Sequence, residues 1–182
     1  HMHQDLIHAC RSGDRRAQFR VYQLYARAMY NVCTRILGDP DLAADALQEA
    51  FISAFQKLDA YEGRASFGAW LKRIVVNRCL SQLNRKTLFE EPLEDDIREQ
   101  IPDEPLPVSA EEISSQRIHA AIKSLPEGCR VVFSLYQLEG YDHQEISEIL
   151  DITVSTSKSQ YHRAKKLLQE KLAGTVRMDK TG

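Results

Sequence analysis

No stretch of this sequence alternates apolar and polar residues as a half-buried strand would, so a β-rich fold is excluded and an all-α class is expected. The eight glycines form no phosphate-cradling loop. No nucleophile motif and no metal-ligand spacing occurs, so an enzyme is not expected, nor a cofactor, a metal or a small-molecule substrate. Cys10, Cys33, Cys79 and Cys129 stand far apart without a C-x-x-C pair. They read as reduced, mostly buried thiols, and pairing Cys129 with His119 or His143 fits no zinc pattern. No apolar run approaches bilayer length and no signal peptide is present, which predicts a cytoplasmic protein without direct membrane insertion. His1-Met2 reads as a tag scar.

The net charge of −2 conceals a strong asymmetry. Residues 90–112 hold ten acids against one base, Arg98. Residues 1–89 hold thirteen basic and eight acidic residues, and 113–182 hold ten and eight. Two basic lobes are thus joined by an acidic tether. The tether carries Pro92, Pro102, Pro105 and Pro107 and few aromatics, which argues against a packed core there. It reads as a solvated linker; the sharper reading is a nucleic-acid mimic that shields the basic lobes. The expected domains are 1–88 and 113–176, with a linker at 89–112 and a tail at 177–182.

The first lobe reads as helices throughout. A short helix over 5–11 ends at Gly13. Asp14 caps a long one with apolar Phe19, Tyr22, Tyr25, Met29, Val32, Cys33 and Ile36. Gly38-Asp39-Pro40 breaks the chain, and Asp41 is the expected cap of a third helix reaching about Leu58. Ser66 caps a fourth helix from Phe67 to about Lys86. On that helix Val75, Val76, Cys79, Leu80 and Leu83 form a packing arc. The other arc mixes Arg73, Asn77, Arg78, Asn84 and Arg85 with Phe67, Trp70 and Ile74. Such a mixture suits single-stranded DNA, whose bases stack and whose phosphates pair with cations. Phe67, Trp70 and Ile74 read instead as core, and the polar residues as the functional set.

The second lobe carries the clearest local pattern. Residues 142–166 read as a helix, a tight turn and a second helix. Asp142 and Glu145 match a capping box, and Ile146, Ile149 and Leu150 make an apolar stripe. Asp151 takes the turn, where a left-handed residue is needed. Thr153 caps the second helix, on which Ser157, Tyr161, Ala164 and Leu168 share a packing face. Ser155, Ser159, His162 and Lys166 lie roughly opposite, flanked by Lys158 and Arg163. Hydroxyls at the start and cations further on suit a helix entering the DNA major groove. An ordinary surface helix with cations favoured by its dipole is the competing reading.

Both lobes resemble the extracytoplasmic-function (ECF) group of bacterial RNA polymerase sigma factors, in the sigma-70 family. The resemblance rests on GDPDLAADALQEAFISAFQKLDAYEG (38–63), SFGAWLKRIVVNRCL (66–80), SLPEGCRVVFSLYQLEGYDHQEISEIL (124–150) and DITVSTSKSQYHRAKKLL (151–168), in that order. It implies a region-two helical bundle and a region-four helix-turn-helix domain. It implies that Asp45, Leu47, Gln48 and Glu49 dock on the β′ clamp helices of core RNA polymerase, whose β flap is a further contact. It implies that loop 60–65 and helix 67–86 read the −10 promoter element and melt the duplex. Asn77 would contact a base edge, and Lys72, Arg73 and Arg78, with Arg64 of the loop, would hold the strand. Ser155, Thr156, Lys158, Ser159, His162, Arg163 and Lys166 would read the −35 element. An anti-sigma factor is the expected regulatory partner.

Four positions depart from the family's habit: Ser81 for Asp, Asp151 for Gly, Ser157 for Val and Gln160 for Arg. Ser157 is expected to weaken the helix-pair core. Gln160 can hydrogen-bond adenine, but its helical position puts it nearer the packed side. The alternatives are a sigma-like decoy that binds an anti-sigma factor, and a plain helix-turn-helix regulator. The first would require a sensor domain that the sequence lacks, and the second leaves the Trp70/Asn77 helix without a role.

Overall fold

The computed structural model describes residues 2–83, 88–89 and 115–179, with side chains over 3–83, 88–89 and 115–173. The expected acidic linker falls on 90–112, outside the described residues. Those described are helical and without strands, in two compact units, one within His1–Asn84 and one within Arg85–Gly182.

In the first unit, α1 (Met2–Arg11) turns Ile7 and Cys10 inward. The Asp14 carboxylate then accepts from the N–H groups of Arg16 (2.9 Å) and Ala17 (3.4 Å) and starts α2 (Arg15–Leu37). Gly38, at φ 70°, ends α2 in the left-handed region and donates its N–H to the Thr34 carbonyl. The next cap is Asp39, not the expected Asp41. Its carboxylate accepts from Asp41 N (2.8 Å) and Leu42 N (3.2 Å). Pro40 has no N–H to leave unpaired and a φ already suited to the first helical position, so α3 (Pro40–Gln56) begins before Asp41. A 3-10 turn (Leu58–Ala60) follows, so α3 itself stops short of Leu58. Ser66 caps α4 (Phe67–Gln82) by accepting from Ala69 N at 3.2 Å. Helix α4 ends before Leu83, whose backbone is extended; the expected continuation to Lys86 lies outside the described residues.

Helices α2, α3 and α4 pack against one another around Cys33, Ile36, Leu71, Val75, Val76, Cys79 and Leu80. On α3, Ala43, Ala46, Ala50 and Ala54 recur at helical spacing and are buried, which lets backbones approach closely. Phe19 and Tyr22, read from sequence as part of the apolar stripe of α2, are 60% and 41% exposed. The buried stripe runs through Ala17, Val21, Met29, Val32, Cys33 and Ile36, and Phe19 sits nearly opposite Ala17 and Val21 on the helix.

In the second unit, α8 (Val154–Asp179) packs against α5 (Ser115–Lys123), α6 (Glu127–Phe133) and α7 (His143–Leu150). A π-helical turn, Ser134–Leu138, follows α6 directly. The Lys171 ammonium donates to the Ser124 carbonyl (3.2 Å) and hydroxyl (2.5 Å), closing the end of α5. Leu88 belongs to this unit and is buried in it. A Cβ added at Gly128 would lie 2.4 Å from the Leu88 carbonyl oxygen. Backbone cannot swing aside as a side-chain tip can. Gly128→Ala is therefore expected to expel Leu88 and destabilise the unit by about 1–3 kcal/mol. Thermal melting checks this, and an unchanged midpoint would contradict it.

Candidate nucleic-acid interface

The helix pair α7–α8 is built from local signals. Asp142 accepts from Glu145 N at 2.8 Å, and its own N–H donates to Glu145 Oε1 at 3.2 Å. Asp151 closes α7 at φ 55°, ψ 50°, the only non-glycine with positive φ among the described residues. Thr153 Oγ1 accepts from Thr156 N at 3.0 Å and donates to Thr156 Oγ1, capping α8. Buried Ser157, Gln160, Tyr161, Ala164 and Leu168 then form one face of α8. Ser155, Lys158 and Lys166 are exposed on the other, with Ser159 and His162 half-buried between them and Thr156 half-buried near the cap. Ser159 donates its hydroxyl proton back to the Ser155 carbonyl at 2.9 Å, leaving oxygen lone pairs outward. Arg163 stands at the edge of this face, beside a cavity of about 210 Å³ that Leu88, Gly128 and Gln160 also line.

Ser157, which is expected to weaken the helix-pair core, has a polar neighbour there. It is fully buried, and its hydroxyl lies 2.7 Å from His143 Nδ1. The His143 ring stacks on Tyr136 at 4.5 Å and meets Tyr161 edge-on at 5.7 Å. His143, which reads as an isolated histidine in the sequence, is therefore a half-buried bridge between α7 and α8. The Ser157–His143 contact is polar and lies beside the Tyr136 and Tyr161 rings. Gln160, 4% exposed, is on the packed side, as its helical position implies.

The second candidate surface is α4 with the loop before it. Asn77 is exposed, while Lys72 and Arg73 are half-buried. Trp70, Arg73 and Asn77 share one face by helical spacing. Arg78 is paired with Glu49 of α3. Arg64, in the loop, is paired with Glu62 at 3.0 Å, with both side chains well exposed, so this ion pair contributes little. Phe67 is buried, and Trp70 and Ile74 are half-buried. Tyr61 packs on Phe67 (5.6 Å) and Trp70 (5.3 Å), so the indole is already engaged within the protein.

Comparison with known proteins bears on both surfaces. The pattern of sigma-70 region 2 matches residues 21–88, and that of sigma-70 region 4 matches residues 115–168. The ECF RNA polymerase sigma-E factor of Haemophilus influenzae is 28% identical over 180 residues, covering 93% of this chain and 94% of its own. The ECF sigma factor SigW of Bacillus subtilis is 29% identical, covering 91% and 94%. The chain belongs to the ECF group of the sigma-70 family. Among solved structures, the sigma factor RpoE of Bartonella quintana, in complex with the anti-sigma factor NepR, shares its fold. That likeness has a TM-score of 0.57 at 22% identity, over 85% of this chain and 95% of that one. CnrH, in complex with the cytosolic domain of CnrY, gives 0.55 at 20% identity, over 93% and 96%.

In this sigma-70 chain the candidate polymerase-docking residues divide. Asp45 and Gln48 are exposed, Glu49 is half-buried in its pair with Arg78, and Leu47 is only 8% exposed. Beside them the structure adds what sequence reasoning missed. An apolar groove of about 700 Å³ runs between α2 and α3, lined by Tyr22, Tyr30, Leu47, Phe51, Ile52 and Phe55. Ile52 is 52% exposed. It lies four residues after Gln48 and seven after Asp45, on the same face of α3. That spacing was the available signal. A lone isoleucine in an apolar helix does not declare itself exposed until the neighbouring helix is placed.

The four cysteines are all buried. Burial and, after it, the Asp14 carboxylate push the Cys10 thiol up, which keeps it protonated and a poor nucleophile.

Proposed function

We infer that this chain is an alternative sigma factor. It binds core RNA polymerase, directs it to promoters with a −10 and a −35 element, and aids melting. The observation that carries this reading is the pair of distinct polar helix faces in one chain. One holds exposed Asn77 on α4, and the other holds exposed Ser155, Lys158 and Lys166 on α8. A one-element regulator needs only the second. The chain itself supplies no bond-making chemistry and is not an enzyme. The polymerase does the synthesis, and this places the protein in the cytoplasm.

Position supports the following residue roles. Ser155, Thr156, Ser159 and His162 present hydroxyls and an imidazole toward base edges and phosphates, and Lys158 and Lys166 hold the duplex backbone. On α4, Asn77 reads a base of the opened strand while Lys72, Arg73 and Arg78 hold its phosphates, with Arg64 nearby in the loop. Asp45, Gln48 and Glu49, with the apolar groove beside them, meet the β′ clamp helices. The second unit meets the β flap. An anti-sigma factor is the regulatory partner, because a groove of exposed aromatic and aliphatic side chains is what such a protein would cover before polymerase does. The domain limits 1–88 and 113–176 are part of this reading in outline, with Leu88 assigned to the second unit.

Two readers in one chain give usable affinity from weak parts, since engagement of one raises the effective concentration of the other. The −35 face is testable by itself. Lys158→Ala with Lys166→Ala is expected to flatten the dependence of log affinity on log salt by about two, one for each lost phosphate contact. Titration of the intact chain with a −35 duplex measures it. An unchanged slope would remove both lysines from the interface. Arg163, at the edge of the face, is expected to contribute less than either.

A further inference from the structure

Helix α1 lies before residue 21, where the match to sigma-70 region 2 begins. Its last residue, Arg11, reaches the loop between α3 and α4. Arg11 Nε donates to the Leu58 carbonyl at 3.3 Å, and Nη2 donates to the Tyr61 carbonyl at 2.5 Å. The Tyr61 hydroxyl in turn donates to the Ala65 carbonyl at 2.7 Å. One guanidinium thus fixes the start of the loop at two points, and Tyr61 carries the restraint to the loop's far end.

Packing holds Leu58, which is buried, but Tyr61 beyond it is only half-buried and residues 62–66 are exposed. A pocket of about 850 Å³ opens between α1 and the rest of the loop, with Ile7, His8 and Arg11 on one side and Tyr61, Gly63 and Phe67 on the other. Over open space, the loop position depends on directional contacts. Those contacts are the Arg11 hydrogen bonds and the packing of Tyr61 on Phe67 and Trp70. Trp70 begins the face of α4 that continues through Arg73 to Asn77.

We propose that Arg11 is a positioning residue for promoter reading, pinning the α3–α4 loop through the Leu58 and Tyr61 carbonyls so that the loop and α4 meet the opened strand in one geometry. This rests on the reading of that loop and α4 as the −10 reader. A loop ordered before DNA arrives costs less ordering entropy on binding. The planar fork of arginine serves two carbonyls in fixed directions. A lysine offers a single flexible ammonium and replaces it only in part.

The test uses the full chain with Arg11→Ala and Arg11→Lys. Hydrogen exchange of the free chain is measured first, at the hydrogen-bonded amides of Ala60 and Tyr61. Exchange in Arg11→Ala is expected to rise on the order of tenfold, with α8 amides unchanged and Arg11→Lys between the two. The second arm adds core polymerase and a promoter defined by mapping its start site. Permanganate reactivity of the melted strand and discrimination among −10 variants are expected to fall several-fold in Arg11→Ala. Core affinity and −35 binding should hold, and Arg11→Lys should recover part of the loss. Unchanged exchange overturns the brace whatever the chain's function. Raised exchange with unchanged melting and discrimination overturns its role in promoter reading. A wild-type chain that opens no promoter removes that role together with the reading beneath it, while the exchange arm still decides whether Arg11 holds the loop.

Discussion

The double substitution Tyr22→Ala, Ile52→Ala is expected to weaken binding to core RNA polymerase by about 100-fold, the scale of losing two interface anchors. Both residues are about half exposed, 41% and 52%, on the two walls of the groove between α2 and α3. Exposed aromatic and branched aliphatic side chains in a concave surface gain most when a partner excludes water from them. Their removal should cost the fold little. The principal loss is the edge-on contact of Tyr22 with Phe51 at 4.9 Å, on the order of 1 kcal/mol. Leu24→Ala is the matched control, an apolar residue of α2, 45% exposed, that does not line the groove. Equilibrium binding to core enzyme, with −35 duplex binding as a fold check, measures the effect. Equal affinities for the double variant and the control would remove the groove from the docking surface.

Asn77→Ala is expected to reduce discrimination among −10 sequences by about tenfold or more, the worth of one good base contact. Core binding and −35 binding should be untouched. Asn77 is exposed, so its amide is not spent on holding the fold. Neighbouring Arg78 is paired with Glu49 of α3. Removal of Asn77 should therefore flatten the preference for particular bases more than it lowers total binding. Equal initiation by the variant and the parent across a panel of −10 sequences would refute the assignment.

What could be read from the sequence was local. Asp142, Glu145, Asp151 and Thr153 each act within four residues of their own position, and all four do in the structure what their side chains suggest. Even local signals fail where two candidates compete. Asp39 and Asp41 flank Pro40, and only the proline's fitness for the first helical turn decides between them. Periodicity located the stripe of α2 but could not keep Phe19 and Tyr22 out of it, because an apolar residue at the edge of a stripe looks the same whether or not a neighbour covers it.

Contacts between distant residues were not legible. His143 and Ser157 are 14 residues apart, and nothing in either residue type announces the other. Arg11 bonds to backbone carbonyls 47 and 50 residues away, and backbone acceptors leave no mark in a sequence. The packing of Leu88 on Gly128 is similar: a lone glycine in an unremarkable helix start gave no sign that a carbonyl rests against it.

The most direct test of the central claim is run-off transcription from fragmented genomic DNA of the source bacterium, with core RNA polymerase, with and without this chain, reading the new 5′ ends. The account predicts discrete starts that appear only with the chain and share two upstream elements at fixed spacing. Stable binding to core polymerase without any new start, or no binding at all, would contradict it.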